Sequence, residues 1–377
     1  MTMRVLLLLL MAVQAGPALA QGSVSAQAPS GGDAAPALRW MEHEFMMPAP
    51  GAPFGIDVLQ VEVERPGRHP LAILTHGTSD VPEERATVTP WGFLPQAIWF
   101  ARRGYVAIVV VRKGYGRSSG EQDGREGGCR PGGSFEDAGE ASAEDLKAAV
   151  KFASTLPEVD VGTVLSAGVS TGGFAQVALT AKPPAGLKAA ISFAGGRGGD
   201  GKGDNCNLDG VVSAFHGFGK KSRVPMLWIY SENDHWFPPA MAQSFDAAFK
   251  KGGGNDELVM APPYGDDGHK FFYNVEGWTP MVEGFLGQQG LLPLTELLPE
   301  PSVPDVMPPA GLSEGGVRAF HTFLQMGPGK AFASNGGTHW GMAFGQWSQE
   351  MADAKALANC EKGAKGEGVC VIRSRGK

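Results

Sequence analysis

Cysteine is scarce in this chain: 377 residues hold four, Cys129, Cys206, Cys360 and Cys370, with no Cys-x-x-Cys spacing among them. That spacing is what small structural zinc sites use, so its absence argues against one. After the first twenty residues no apolar run is long enough to span a bilayer, and no membrane association is expected of the mature chain. Positive charge is not in excess either. Lys and Arg number 32 against 39 Asp and Glu, a net −7, so neither nucleic acid nor an anionic membrane has an electrostatic claim on the protein. The chain lacks a His-Glu-x-x-His pair and a phosphate-cradling Gly-x-x-x-x-Gly-Lys-Ser/Thr loop. No Gly-X-Y period runs through it, which excludes a collagen-like rod. No metal and no cofactor is therefore expected.

What is present is glycine, 55 residues of 377, about twice the usual share. With 43% hydrophobic and 19% charged residues the chain has the profile of a folded globular protein. The glycines must then serve turns and close backbone approaches. The start reads as an export signal over 1–20: Arg4 is basic, Val5 to Val13 is apolar, and Ala18-Leu19-Ala20 is a small-x-small cleavage site. A secreted or periplasmic location follows, and with it an oxidising setting for the cysteines. Four cysteines allow three pairings. Cys360–Cys370 would close a short loop and Cys129–Cys206 would be a long-range staple.

Residues 21–38 are Ala/Gly/Ser/Pro-rich and read as a flexible leader. From 39 to 290 strand-like and helix-like stretches alternate. Leu59 to Glu64 alternates apolar with polar residues, as a half-buried strand does. Leu71–Leu74, Tyr105–Val111, Val164–Val169, Ala189–Ala194, Pro225–Tyr230 and Leu258–Ala261 read as buried strands. Helices are expected over Phe93–Arg102, from a capping-box-like Ser142 and Asp145, and over Phe174–Ala181, Met241–Lys250 and Phe271–Gly287. This alternation predicts an α/β fold with a mostly parallel central sheet flanked by helices. A Pro-rich linker is expected over 291–312, and a small disulfide-containing α+β unit over 313–377.

The chemistry concentrates at Gly168-Val169-Ser170-Thr171-Gly172, between a predicted strand and a predicted helix. In that context a serine sits on a strained turn with its hydroxyl above the sheet, and the following helix aims its N-terminus at a developing oxyanion. A serine needs a base, and His269, after the last predicted strand, is the candidate. The base needs a carboxylate. Asp234, at the end of the Met226–Tyr230 strand, is preferred over Glu232, and Asp266 and Asp267 are too near His269 along the chain to orient it from behind. Thr78, in Thr75-His76-Gly77-Thr78, and Thr171 are the candidate oxyanion-hole donors through their backbone N–H groups. His76 is read as structural. Trp236 is a candidate lining residue of the substrate pocket.

Gly168 to Gly172, His76-Gly77, Asp234 and His269 resemble the α/β-hydrolase superfamily, over about 45–290. Arg112 to Ser118 is similar to a segment of its dienelactone-hydrolase-like and peptidase-like branches. The chain differs from dienelactone hydrolases proper in carrying Ser170 where they use cysteine, and Val111 where an acidic residue is common. The resemblance implies an α/β-hydrolase fold. The C-terminal unit, with Trp340-Gly341, Ala354, Ala356-Leu357, Cys360 and Cys370-Val371, is similar to a small module on some exported bacterial proteins. It is read as a packing unit, with binding through an exposed Trp340 or Trp347 as the alternative.

The expectation is an exported serine hydrolase that cleaves a small-molecule carboxylic ester through Ser170, His269 and Asp234. A serine peptidase or amidase of the same fold is the alternative, and a non-catalytic exported binding protein is a further one. Nothing in the sequence sets the oligomeric state. Nine glycines fall in 114–140 and nine more in 195–219, each stretch after a predicted strand and each holding one cysteine. They are expected to be two flexible loops over the site, tied by Cys129–Cys206.

Overall fold

The computed structural model describes residues 40–376 apart from 80, 123–126, 292–297, 300, 302 and 304. The expected signal, all of the expected leader and part of the Pro-rich stretch lie outside the described residues.

The chain opens with two antiparallel strands, β1 (Trp40–Ala49) and β2 (Ala52–Val63), followed by β3 (His69–Thr75). A short helix α1 (Pro82–Ala86) leads into a 3-10 turn over Pro90–Phe93 and α2 (Leu94–Arg102). Then come β4 (Val106–Val110), α3 (Phe135–Ala153), β5 (Val159–Val169), α4 (Thr171–Ala181) and β6 (Leu187–Phe193). The larger part of the chain closes with α5 (Leu208–Lys221), β7 (Met226–Ser231), α6 (Pro239–Gly252), β8 (Asp256–Ala261), a 3-10 turn over Gly268–Tyr273 and α7 (Val275–Gln288). Eight strands form one sheet in the order β1-β2-β4-β3-β5-β6-β7-β8. β2 pairs antiparallel with both β1 and β4, and every pair from β4 across to β8 is parallel.

Strand periodicity places the core. On β3, Leu71 and Ile73 face one layer with Leu146 of α3, Phe174 of α4, Phe215 of α5 and Phe245 of α6. Ala72 and Leu74, one residue out of phase, face the other layer with Phe100 of α2 and Trp278 and Phe285 of α7. Each large apolar side chain taken fully out of water contributes about 1.5–3 kcal/mol, so both faces of the parallel strands are tightly specified.

Two expectations need correction. Ser142 does not start a helix. α3 begins seven residues earlier, where Ser134 accepts a hydrogen bond from the Asp137 N–H at 3.1 Å. Ser142 instead donates back to the Ala138 carbonyl, and Asp145 is buried mid-helix, holding the Lys113 backbone N–H at 2.9 Å and its ammonium at 2.8 Å. Nor are the two glycine-rich stretches simply loops. Much of 195–219 is α5, capped by Asn207, which accepts from the Gly210 N–H at 3.0 Å. Its Val211, Ala214, Phe215 and Phe218 recur at helical spacing and are all buried. That burial outweighs the roughly 1 kcal/mol each interior glycine costs a helix. The Cys129–Cys206 bond does tie the two stretches together, with 5.5 Å between Cα atoms.

Beyond the Pro-rich stretch lie α8 (Glu314–Gln325), β9 (Lys330–Ser334), β10 (Trp340–Ala343), α9 (Gln349–Ala364) and β11 (Val371–Gly376). The strands form a small antiparallel sheet in the order β10-β9-β11. α9 packs Ala352, Ala356 and Cys360 on one face against Ala331 and Ala333, and α8 packs Phe320 and Phe323 on the other against Phe332. Cys360–Cys370 links α9 to the start of β11, with Cα atoms 6.0 Å apart. Neither tryptophan expected to be exposed stands free. Trp340 stacks on Phe332 with centroids 5.9 Å apart, and Trp347 lies under the Arg117 guanidinium at 4.0 Å. No described helix is long and apolar enough to cross a membrane.

Candidate active site

The functional candidates gather at the carboxyl ends of the parallel strands, where open α/β sheets bind ligands. Ser170 joins β5 to α4 at φ 57° and ψ −123°. A side chain there costs on the order of 1–3 kcal/mol. The surroundings hold it. The Ser170 N–H donates to the Phe193 carbonyl at 2.9 Å, and its own carbonyl accepts from the N–H groups of Phe174 at 2.9 Å and Gly196 at 3.2 Å. The turn also demands missing side chains. A Cβ on Gly168 would lie 2.5 Å from the Gly172 carbonyl oxygen, and one on Gly172 would lie 2.4 Å from that of His76.

Thr171 is the first residue of α4, so its N–H is among those a helix leaves without an internal partner. Thr78 follows β3 on the other side of the serine. Their hydroxyls lie 2.8 Å apart, and the Thr78 hydroxyl also meets the Tyr115 phenol at 2.7 Å. Beneath them runs the buried Arg112, donating to the Thr75 and Thr171 hydroxyls at 3.0 Å each and to the His76 carbonyl. The His76 ring is committed to this scaffold. Its Nε2 accepts from the Arg112 N–H at 2.9 Å, so its Nδ1 carries the proton and donates to the Gly77 carbonyl at 2.6 Å.

Asp234 sits in the turn after β7 with its side chain fully buried. Its Oδ1 accepts from the backbone N–H groups of Trp236 at 2.8 Å and Phe237 at 2.9 Å, which fixes the carboxylate plane. The His269 Nδ1 lies 3.1 Å from each carboxylate oxygen. Glu232, two residues earlier, is exposed. Asp267 does not touch the His269 ring. It caps the 3-10 turn, accepting from the His269 N–H at 3.0 Å and the His235 N–H at 3.1 Å. Asn233 adds a second tie between the two loops: its carbonyl accepts from the Gly268 N–H at 3.0 Å and its Oδ1 from the Tyr264 N–H at 2.9 Å.

Sequence reasoning does not single out Arg112, Asn233 or Asp267 as functional. Only Asp267 carries a local signal, an aspartate at a cap position two residues before the histidine. The Tyr230 phenol, buried behind β7 and so held well above its usual pKa, donates to the Gly195 carbonyl and anchors the second glycine-rich stretch.

Two hollows meet at Ser170. The first, about 350 Å³, is lined by Ser170, Thr78 and His269, by Phe93 and Tyr273, and by Met342, Phe344 and Lys355 of the C-terminal unit. The second, about 450 Å³, is lined by Ser170, Thr171, Arg197 and Asn205 together with the Cys129–Cys206 bond. Trp236 lines both. Among the described residues no group of three or more His, Cys, Asp or Glu is placed to hold a metal ion.

No curated protein matches the sequence. Among solved structures, acetyl xylan esterase 1 from Thermoanaerobacterium sp. is similar at 16% identity and a TM-score of 0.46, over 72% of this chain and 88% of its own. A Pyrococcus furiosus esterase is similar at 15% identity and 0.45, over 67% and 90%. The acylaminoacyl peptidase of Pyrococcus horikoshii is similar at 15% identity and 0.47, over 68% of this chain and 42% of its own. The dienelactone hydrolase family model matches residues 92–279, the span that runs from α2 through Ser170, Asp234 and His269 into α7. The mostly parallel sheet flanked by helices is the α/β-hydrolase fold, and the family match supports a hydrolase of that fold.

Proposed function

We propose that this hydrolase is an exported serine esterase acting on small-molecule carboxylic esters. The observation that carries the reading is the His269 Nδ1 held 3.1 Å from both oxygens of the buried Asp234, with His269 and Ser170 on the wall of one cleft. Asp234 accepts a hydrogen bond from the His269 Nδ1–H, which leaves Nε2 unprotonated as the base. Nε2 takes the Ser170 proton as the Oγ attacks the acyl carbonyl. The tetrahedral oxyanion is held by the N–H groups of Thr78 and Thr171. The imidazolium stabilised by Asp234 returns its proton to the departing alcohol, and an acyl-enzyme remains on Ser170. Water, deprotonated by His269, attacks that ester, and the imidazolium returns the proton to the departing Ser170 Oγ as the acid is released. Arg112 takes no proton. It sets the positions of Thr171 and of the His76 loop that carries Thr78.

Export is part of the same proposal. It rests on the N-terminal pattern of the sequence, and the two disulfides are what an oxidising compartment permits.

A fluorophosphonate probe tests the esterase reading. Stoichiometric labelling of the wild type, absent in Ser170→Ala, is the expected result. A folded wild type that takes no label would mean the fold is kept for binding alone. Faster turnover of anilides than of matched esters would move the assignment to an amidase.

A further inference from the structure

The first cleft is built by two parts of the chain. The family match ends at 279, yet β10 and the segment after it supply Met342, Phe344 and Gln346 to the wall that faces His269 and Ser170, and α9 adds Lys355. This wall is held in place. The Phe344 ring meets the edge of Tyr273 at 5.6 Å, and Tyr273 directly follows the histidine turn's Phe272. The Thr89 hydroxyl donates to the Gly345 carbonyl, and Arg117 covers Trp347 at 4.0 Å. The C-terminal unit is therefore docked at Phe344 and at two positions just after it.

Chemistry then sorts the two hollows. The group that leaves must receive its proton from His269, so the alcohol half of an ester lies on the histidine side of Ser170. His269 lines the first cleft and does not line the second. The alcohol half thus falls against the wall to which Phe93, Tyr273, Met342 and Phe344 contribute. The acyl half falls toward Arg197, Asn205 and the Cys129–Cys206 bond. The alcohol side combines its apolar and aromatic residues with Ser79, Thr87, Thr89 and Gln346, and carries charge at Glu84, Lys270 and Lys355.

We propose that the C-terminal unit is the alcohol-side specificity wall of the catalytic cleft, with Met342 and Phe344 selecting esters of bulky apolar, arylalkyl-type alcohols. This rests on the serine esterase reading above.

The test varies one half of the ester at a time on the full chain. Benzyl acetate against ethyl acetate changes the alcohol, and ethyl phenylacetate against ethyl acetate changes the acyl group. The quantity read is the ratio of kcat/KM values within each pair, which reports acylation and is insensitive to the fraction of active protein. In Phe344→Ala the benzyl-to-ethyl ratio is expected to fall about ten-fold, the scale of a lost apolar pocket contact, while the acyl ratio stays within about two-fold. Phe344→Leu keeps an apolar side chain against Tyr273 and is expected to shift the same ratio less, so it carries the test if the alanine variant does not fold. Val369→Ser, at an exposed site on the same unit, is expected to leave both ratios alone. An unchanged alcohol ratio in variants that still take the fluorophosphonate label overturns this inference and leaves the esterase reading standing. A collapse of the acyl ratio instead overturns the assignment of the two hollows. Failure of the wild type to label overturns both readings together.

Discussion

Asp267 Oδ1 accepts hydrogen bonds from the backbone N–H groups of both His235 and His269, at 3.1 and 3.0 Å. One carboxylate oxygen thus joins the loop carrying the candidate acid to the loop carrying the candidate base. The Asp234–His269 contact is thus accompanied by a tie between the two backbones that carry it.

Breaking that tie gives a first prediction. Asp267→Ala loses a cap, worth about 0.5–2 kcal/mol of stability, and frees the His269 loop to drift. Ester turnover is expected to fall about ten-fold or more, because small misplacements of a catalytic group are costly. The fall should appear in kcat more than in KM. Asp267→Asn keeps an accepting oxygen and should recover most of the rate. Steady-state kinetics on a nitrophenyl ester, with a thermal melt of each variant, separates the two effects. Equal losses in the Ala and Asn variants would contradict the bracing role.

The two disulfides should differ in weight. Cys129–Cys206 spans 77 residues and Cys360–Cys370 spans 10. On the chain-entropy view these loops correspond to about 4.5 and about 3 kcal/mol. The Cys129→Ser/Cys206→Ser double variant is therefore expected to lower the denaturant midpoint more than Cys360→Ser/Cys370→Ser. The first should also disturb ester turnover, since that bond lines the second hollow beside Ser170. A larger loss from the short loop would mean that native-state packing around the bond outweighs loop entropy.

A pH dependence follows from β8. The Asp256 side chain is fully buried, beside Asp246 and 3.9 Å from the Lys250 ammonium. Burial, then the neighbouring Asp246 carboxyl, pushes its pKa up from 3.8 to about 8. Between those values the folded chain keeps a proton that the unfolded chain has released. Stability from this group is therefore fully present below about pH 4 and declines as pH rises toward 8. Asp256→Asn removes the decline. Its melting temperature should gain on the wild type at pH 9 and differ little at pH 4. A gain of equal size at both pH values would show that ionisation of Asp256 is not responsible.

The residues legible from sequence are those whose constraint is local. A strained serine between a buried strand and a buried helix needs small neighbours on both sides, and Gly168 and Gly172 write that requirement into five consecutive positions. The parallel sheet is legible because strands buried on both faces read as unbroken apolar runs, as Tyr105–Val111 does. Ser142 and Asp145 mislead because the same short pattern serves a helix cap or a helix interior. Only Lys113, remote in sequence, shows that Asp145 is held inside. Glycine content likewise hides α5, whose apolar face outweighs its weak propensity.

The sequence by itself determined the sheet, the serine elbow and the order of the candidate residues, since each follows from periodicity or from steric needs within a few residues. Tertiary structure alone decided what Arg112, Asn233 and Asp267 do, because their partners lie on other loops. It also decided that the C-terminal unit lines the cleft shared by Ser170 and His269. Thr89 and Gly345 stand 256 positions apart, and no local pattern encodes a contact between residues that only the folded chain brings together.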